Sequence, residues 1–281
     1  MIEDQPSKTA QRVAWRRAAH QLWDSPRVFE DPVALKIIGS EEAGKLERSR
    51  PSDSTAGQYL RAFIVARSRY AEDQLADAVR RGTRQYVVLG AGLDTFACRN
   101  PFEGVRVFEV DHPATQAWKR TRLVSGGISA PASLTFVPVD FEKETLAQGL
   151  DHAGFKANQP AFFSWLGVTP YLARETALAI LQWLISACSS NGIVFDYVVP
   201  RSSLGPLSRV AFDLLANRVA AAGEPFVGFF DPQELARDLR KMGFEHTEDL
   251  DAEKINARYF TSRGDGLQVA GPGRLMCAKG Q

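Results

Sequence analysis

The stretch Gln85–Arg99, QYVVLGAGLDTFACR, decides the fold together with VRVFEVD, which ends at Asp111. Each begins as an apolar run typical of a buried strand. The first run enters a turn at Gly90 and Gly92, and the second ends on an acid. Glycines let a backbone approach a ligand closely, and an acid at the tip of the next strand accepts hydrogen bonds from ribose hydroxyls. The two runs therefore predict a nucleoside pocket at one edge of an open α/β sheet.

The pattern on either side of these runs predicts a doubly wound, mostly parallel sheet of the α/β class. Apolar runs separated by helical patterns lie at 85–90, 105–110, 134–139, 161–166 and 193–199, and two further strands are predicted near 244–250 and 274–279. Buried strands that alternate with helices are typical of sheets covered on both faces. The pattern divides the chain into a helical cap segment (1–82), a core (83–199), a cap insertion (200–230) and a completion of the core (231–281).

Composition excludes several classes of partner. The 281 residues carry 34 basic and 33 acidic side chains, well mixed along the chain, so we expect neither nucleic acid nor a membrane surface as a partner. The three cysteines lie far apart and match no metal-ligand spacing. A sparse, odd cysteine count and a charged start without an apolar leader predict a cytoplasmic protein.

The third strand helps to identify the nucleoside. A dinucleotide-binding turn would place a third glycine where this chain has Thr95, and its absence favours a ligand without a diphosphate. S-adenosyl-L-methionine is such a ligand. The third strand ends on Asp140 and Phe141, which are suited to an adenine amino group and ring. Simpler roles remain open, because Asp111 and Asp140 are also good helix caps and Phe141 is a good core residue.

The chain resembles the leucine carboxyl methyltransferase family, a branch of the class I S-adenosylmethionine-dependent methyltransferases. The resembling segments are Ser7–Ala18 (SKTAQRVAWRRA), Ala66–Leu75 (ARSRYAEDQL), Gln85–Pro101, Val107–Arg120 (VFEVDHPATQAWKR), Val137–Phe141, Gly167–Leu172 (GVTPYL) and Gly223–Phe226. This resemblance implies a seven-stranded sheet with a reversed last strand. It also implies an α-helical cap built from the N-terminal segment and the 200–230 insertion.

The resemblance also implies how S-adenosyl-L-methionine, and its product S-adenosyl-L-homocysteine, would be held. Arg67 would pair with the methionine carboxylate, and Gly90, Ala91 and Gly92 would pass beneath the methionine arm. Asp111 would hold the ribose, and Asp140 with Phe141 the adenine. Many family members place a cofactor-contacting glutamate before the Gly-Val-Thr turn, whereas this chain has Leu166 there.

The resemblance suggests a carboxylate as methyl acceptor, and such an acceptor needs no general base, because it is ionised at pH 7. The four histidines are scattered, and none is predicted to act as a base. Tyr171 is the first candidate for the acceptor site, with Arg27, Tyr70 and Arg201 as weaker ones. We expect an O-methyltransferase acting on a small-molecule carboxylic acid. The alternatives are a protein or peptide C-terminal carboxylate as the acceptor, a protein that binds the cofactor without catalysis, or an NAD-dependent oxidoreductase.

Overall fold

A single seven-stranded sheet forms the centre of the protein. The computed structural model describes residues 7–48, 54–140, 143–188, 191–205, 209, 212–213, 216, 220 and 225–280. The strands are β1 (Gln85–Leu89), β2 (Arg106–Asp111), β3 (Leu134–Pro138), β4 (Ala161–Trp165), β5 (Asn191–Val198), β6 (His246–Leu250) and β7 (Gly273–Lys279). Their spatial order is β3-β2-β1-β4-β5-β7-β6, and β7 runs antiparallel to both of its neighbours. The structure thus confirms the α/β fold class, the seven strands and the reversed last strand.

Helices cover both faces of this sheet. They are α1 (Lys8–Trp23), α2 (Ala34–Ile38), α3 (Ser40–Arg48), α4 (Thr55–Arg80), α5 (Pro113–Ser125), α6 (Leu146–His152), α7 (Arg174–Ala187), α8 (Pro232–Met242) and α9 (Ala252–Tyr259). The longest of these helices is α4, with 26 residues. Ser54 caps its start by accepting a hydrogen bond from the Gly57 N–H, and Gly82 follows its end with a left-handed φ of 106°.

The core lies in three apolar layers. One face of the sheet packs against α6, α7 and α8, with Leu150, Leu181 and Leu239 fully buried. The other face packs against α4 and α9 through residues such as Val65 and Ile255. A third cluster joins α1, α2 and α3 to α5. Residues of β1, β4 and β5 are buried along their whole length, which explains their nearly continuous apolar sequences.

The strand order places the candidate site. β1 lies between β2 and β4, so the chain winds outward in both directions from this pair of strands. Ligands of doubly wound sheets bind in the crevice outside the carboxyl ends of the strands at such a switch point. The glycine turn after β1, the acid after β2 and the turn after β4 all meet there. In the described part of the chain, no helix is both long and apolar enough to span a membrane.

Candidate functional site

The glycine turn after β1 forms a bare backbone surface. The N–H groups of Gly90 and Ala91 both donate to the carbonyl of Val110, at 2.9 and 3.1 Å. Gly90 has a left-handed φ of 66°, and a Cβ there would lie 2.4 Å from Cγ2 of Val168. No other residue fits this position without moving the turn after β4. The backbone at this point is therefore open to a ligand on its exposed side.

Asp111 lies beside that turn at the tip of β2. Its Oδ2 accepts the N–H of Gly92 at 2.6 Å, and its Oδ1 accepts the N–H of His112 at 2.7 Å. Burial raises the pKa of Asp111, while the two N–H donors oppose that rise. His112, not Asp111, caps α5, because its ring nitrogen accepts the N–H of Ala114. Each carboxylate oxygen keeps a further lone pair, which suits the two hydroxyls of a ribose.

Asp140 is held close to Asp111 at the tip of β3. The N–H of Val139 donates to the Asp111 carbonyl at 2.9 Å, which joins the two strand tips. Asp140 does not cap the next helix, since Thr145 caps α6 in a reciprocal pair with Gln148. The Asp140 carboxylate lies 2.7 Å from the ammonium of Lys143. The predicted adenine-facing residue Phe141 lies outside the described residues.

Arg67 approaches the same edge from α4 and is bound to Asp196 of β5. Its Nη1 donates to Oδ2 of Asp196 at 2.9 Å, and both side chains are buried. The guanidinium lies against Gly167, where a Cβ would be 2.7 Å from Nη2. The structure thus places Arg67 at the turn after β4 and gives it a protein partner, Asp196, that sequence reasoning missed. Leu166, just before this turn, packs against the apolar layer shared with α4.

The first helix covers the glycine turn. Nη2 of Arg17 donates to the Leu93 carbonyl at 2.6 Å, and Nη1 lies 3.3 Å from Oδ2 of Asp94. Burial opposes the ionisation of Asp94, but the charges of Arg17, Lys119 and Arg99 outweigh it and lower its pKa. Arg17 therefore fixes the loop that follows Gly92. Sequence reasoning did not assign it, although it shares the buried face of α1 with the alanines at 14 and 18.

A fully buried ion pair lies behind Asp111. Nζ of Lys119 on α5 is 2.5 Å from Oε2 of Glu109 on β2, and both side chains are 1% exposed. Burial raises the pKa of Glu109 to about 7, even though the ammonium of Lys119 opposes the rise. The other oxygen of Glu109, Oε1, has no hydrogen-bond partner in the described part of the chain. A buried carboxylate whose pKa is raised binds a proton more tightly in the folded protein than in the unfolded chain, so the stability of this region is expected to depend on pH.

Tyr171 lies on the other side of the crevice, at the end of a short 3-10 turn (Thr169–Tyr171) after β4. Its ring centroid is 5.5 Å from that of Phe226, which in turn stacks on Phe212 at 6.4 Å. The N–H groups of Val227 and Gly228 donate to the Pro170 carbonyl at 2.8 and 3.0 Å. The segment 225–230 is thereby fastened to the turn that carries Tyr171.

The weaker acceptor candidates are engaged elsewhere. The Tyr70 hydroxyl, about one helical turn from Arg67 on α4, donates to Glu248 of the edge strand β6 at 2.6 Å. Arg27 donates to the Gln21 carbonyl, and Arg201 forms a two-bond pair with Asp213 at the surface. These three side chains serve packing and surface pairing in this structure.

Comparison with known proteins agrees with this geometry. A family model described as leucine carboxyl methyltransferase matches residues 10–185. The chain is 33% identical over 295 residues to YktD of Bacillus subtilis strain 168, which is assigned to the S-adenosyl-L-methionine-dependent methyltransferases, and the match covers 96% of each chain. A relative from Parafrankia sp. strain EAN1pec with the same assignment is 28% identical over 91% of this chain and 86% of its own.

The fold is also found among solved structures. A protein from Bordetella parapertussis superposes with a TM-score of 0.51 over 100% of this chain and 99% of its own, at 12% sequence identity. At that identity the likeness concerns the fold alone.

Proposed function

This chain belongs to the leucine carboxyl methyltransferase family and is an S-adenosyl-L-methionine-dependent methyltransferase, and from that premise we propose that it methylates a carboxylate of a small molecule. The cofactor supplies a methyl group already activated by the sulfonium to which it is bonded. The protein's task is then to hold the acceptor oxygen at near-attack distance, ~3–3.5 Å from that carbon.

The residues at the carboxyl ends of the strands fit this cofactor. The turn Gly90–Gly92 offers the methionine arm a backbone with no side chain larger than the methyl group of Ala91, and Asp111 offers two oxygens for the ribose hydroxyls. In our proposal Asp140, Phe141 and Leu166 complete the adenine and sulfur surroundings. Arg67 provides a cation for the carboxylate of the methionine arm, since Nη1 alone of its nitrogens is bonded to Asp196 in the described structure.

We base the assignment of the acceptor as a carboxylate on the positions and hydrogen bonds of the four histidines. The His20 ring is fully buried, bonds Asp24 through Nδ1 at 2.7 Å, and accepts the Val28 N–H at Nε2. His112 accepts the Ala114 N–H at its cap position, and His152 and His246 are exposed on α6 and at the start of β6. In the described structure, no histidine is thus available as a base at the crevice. This arrangement supports an acceptor that is ionised before it binds.

The fastening of segment 225–230 supports a small acceptor over a peptide. Gly228 is so tightly packed that a Cβ would lie 2.4 Å from the Leu172 carbonyl oxygen and 2.5 Å from that of Thr169. Phe226, two residues earlier, packs its ring against that of Tyr171 beside the turn after β4. In this proposal 1–82 and 200–230 act as the cap over the acceptor, while 83–199 and 231–281 form the cofactor-binding core.

An assay with the methyl group of the cofactor radiolabelled tests the proposal. The acceptors would be a panel of aliphatic and aromatic carboxylic acids, and a peptide with a free or an amidated C-terminus. A methyl ester releases volatile methanol in mild base, whereas ethers and methylamines do not. We expect base-labile label on one or more small acids. Base-stable label, or label only on the peptide with a free C-terminus, would overturn the proposal.

A further inference from the structure

β5 carries one acidic side chain, Asp196, at the level where β4 ends. Trp165, the last residue of β4, pairs with Phe195, so the next residue of β5 lies beside the turn at Leu166 and Gly167. Asp196 is 3% exposed and is followed by the fully buried Tyr197. A carboxylate in such surroundings is strongly destabilising unless it is paired and hydrogen-bonded. The groups that bind Asp196 therefore indicate its role.

Three polar contacts converge on this residue. Its Oδ1 accepts the N–H of Gly167 at 2.5 Å, and its Oδ2 accepts Nη1 of Arg67 at 2.9 Å. Its main-chain carbonyl accepts the Thr169 hydroxyl at 2.5 Å. Asp196 thus joins three separate parts of the chain, namely α4, β5 and the turn after β4.

The contact with Asp196 uses one part of the Arg67 guanidinium group. In the residues that the structure describes, Asp196 is the acceptor for Nη1, and Nη2 and Nε have no acceptor. Nη2 lies against the bare backbone of Gly167, which has a left-handed φ of 75°. A guanidinium presents parallel N–H donors that match a carboxylate. Asp196 therefore binds one edge of the guanidinium, and the other edge can receive a second carboxylate.

We propose that Asp196 is a positioning residue for the amino-acid end of the cofactor. It holds the Arg67 guanidinium and the Gly167 turn in the arrangement that receives the carboxylate of the methionine arm. This inference rests on the cofactor and on Arg67, not on the identity of the methyl acceptor, so it can fail while the proposed reaction stands.

Two ligands that share an adenosine and a thioether separate this role from a general effect on folding. S-adenosyl-L-homocysteine carries the amino-acid end, and 5′-methylthioadenosine lacks it. Calorimetric titration of Asp196→Asn with both ligands measures the ratio of their affinities. We expect at least tenfold weaker binding of S-adenosyl-L-homocysteine and a change within twofold for 5′-methylthioadenosine. Equal weakening of both, or no weakening of either, would overturn the proposal.

Two further variants complete the test. Asp249→Asn is the control. It removes a carboxylate on β6 that accepts Nη2 of Arg274 on β7 at 2.7 Å, and it should leave the ratio of the two affinities unchanged. Arg67→Lys keeps a cation beside Asp196 but removes the fork, so it should show the same selective loss of S-adenosyl-L-homocysteine. If Asp196→Asn does not fold, Asp196→Glu replaces it, since it keeps the charge but displaces the carboxylate from Arg67 and Gly167, and an unchanged ratio of affinities in that variant would overturn the proposal.

Discussion

The two sides of the crevice are built differently. On the proposed cofactor side, backbone N–H groups bind acceptors on the adjacent strand tip: that of Gly90 bonds the Val110 carbonyl, and that of Gly92 bonds the Asp111 carboxylate. On the proposed acceptor side, the rings of Tyr171 and Phe226, which are far apart in the chain, pack with their centroids 5.5 Å apart. Backbone geometry allows few substitutions, whereas aromatic contacts can be replaced one side chain at a time. From this difference we expect the proposed acceptor half to tolerate substitutions that the proposed cofactor half does not.

The largest expected effect is that of Gly90→Ala. The new Cβ would meet Val168 at 2.4 Å and the left-handed backbone would be strained, so we expect binding of S-adenosyl-L-homocysteine to weaken by at least about 100-fold, measured by calorimetry. Gly104→Ala is the matched control, since its φ is 74° but its nearest neighbour lies at 3.9 Å. Val168→Ala in the same chain should restore part of the binding. If Gly90→Ala bound S-adenosyl-L-homocysteine as tightly as the wild type, the difference between the two sides of the crevice would be contradicted.

The buried Glu109 predicts a pH-dependent stability of the cofactor half. Its folded pKa of about 7 lies above the ordinary value of 4.5, so between these values the folded protein keeps a proton that the unfolded chain releases. The free energy of unfolding should therefore fall by on the order of 3 kcal/mol as pH rises from about 4.5 to about 7. Denaturant unfolding at several pH values should show that the free energy of unfolding falls less with rising pH in Glu109→Gln than in the wild type. The exposed Glu103→Gln is the control, and identical slopes in all three proteins would contradict the assignment.

A smaller effect is expected from Phe226→Ala on the acceptor side. Loss of its contacts with Tyr171 and Phe212 should raise the KM for the acceptor about tenfold, because aromatic pairs contribute roughly 0.5–1.5 kcal/mol beyond burial. Binding of S-adenosyl-L-homocysteine should stay as in the wild type. Phe102→Ala removes a ring near the amino ends of the strands and should change neither quantity. A Phe226→Ala protein that loses cofactor affinity would show that the two sides are not separable.

Much of the fold could be predicted from the sequence, because its signals are local. Apolar runs and glycine turns place every strand to within two residues, and the acid at position 111 follows directly from the end of its strand. The role of Arg67 toward the cofactor stays a prediction from the resemblance. The structure removes the helix-cap alternative for Asp111 and Asp140, since His112 and Thr145 are the helix caps.

The missed residues depend on long-range contacts. Arg17 reaches Leu93 across 76 positions, and Arg67 reaches Asp196 across 129, so no local pattern pairs them. One signal was present, because Glu109 is the one charge within the buried run 107–110 of β2 and Asp196 is the one charge in β5. A buried strand carries such a charge only when it has a partner. The partners themselves, Lys119 and Arg67, follow only from the packing of helices on the sheet.

The central claim is that the carboxyl ends of β1 to β3 bind the cofactor through Asp111. Calorimetry of the wild type and of Asp111→Asn with S-adenosyl-L-homocysteine and with NAD tests it most directly, with Asp231→Asn, a helix-cap exchange that retains the cap, as control. We expect the wild type and the control to bind S-adenosyl-L-homocysteine alike and not to bind NAD. Asp111→Asn should bind roughly 10- to 100-fold more weakly, as for the loss of hydrogen bonds to a charged group. Undiminished binding by Asp111→Asn, or a preference for NAD, would contradict the account.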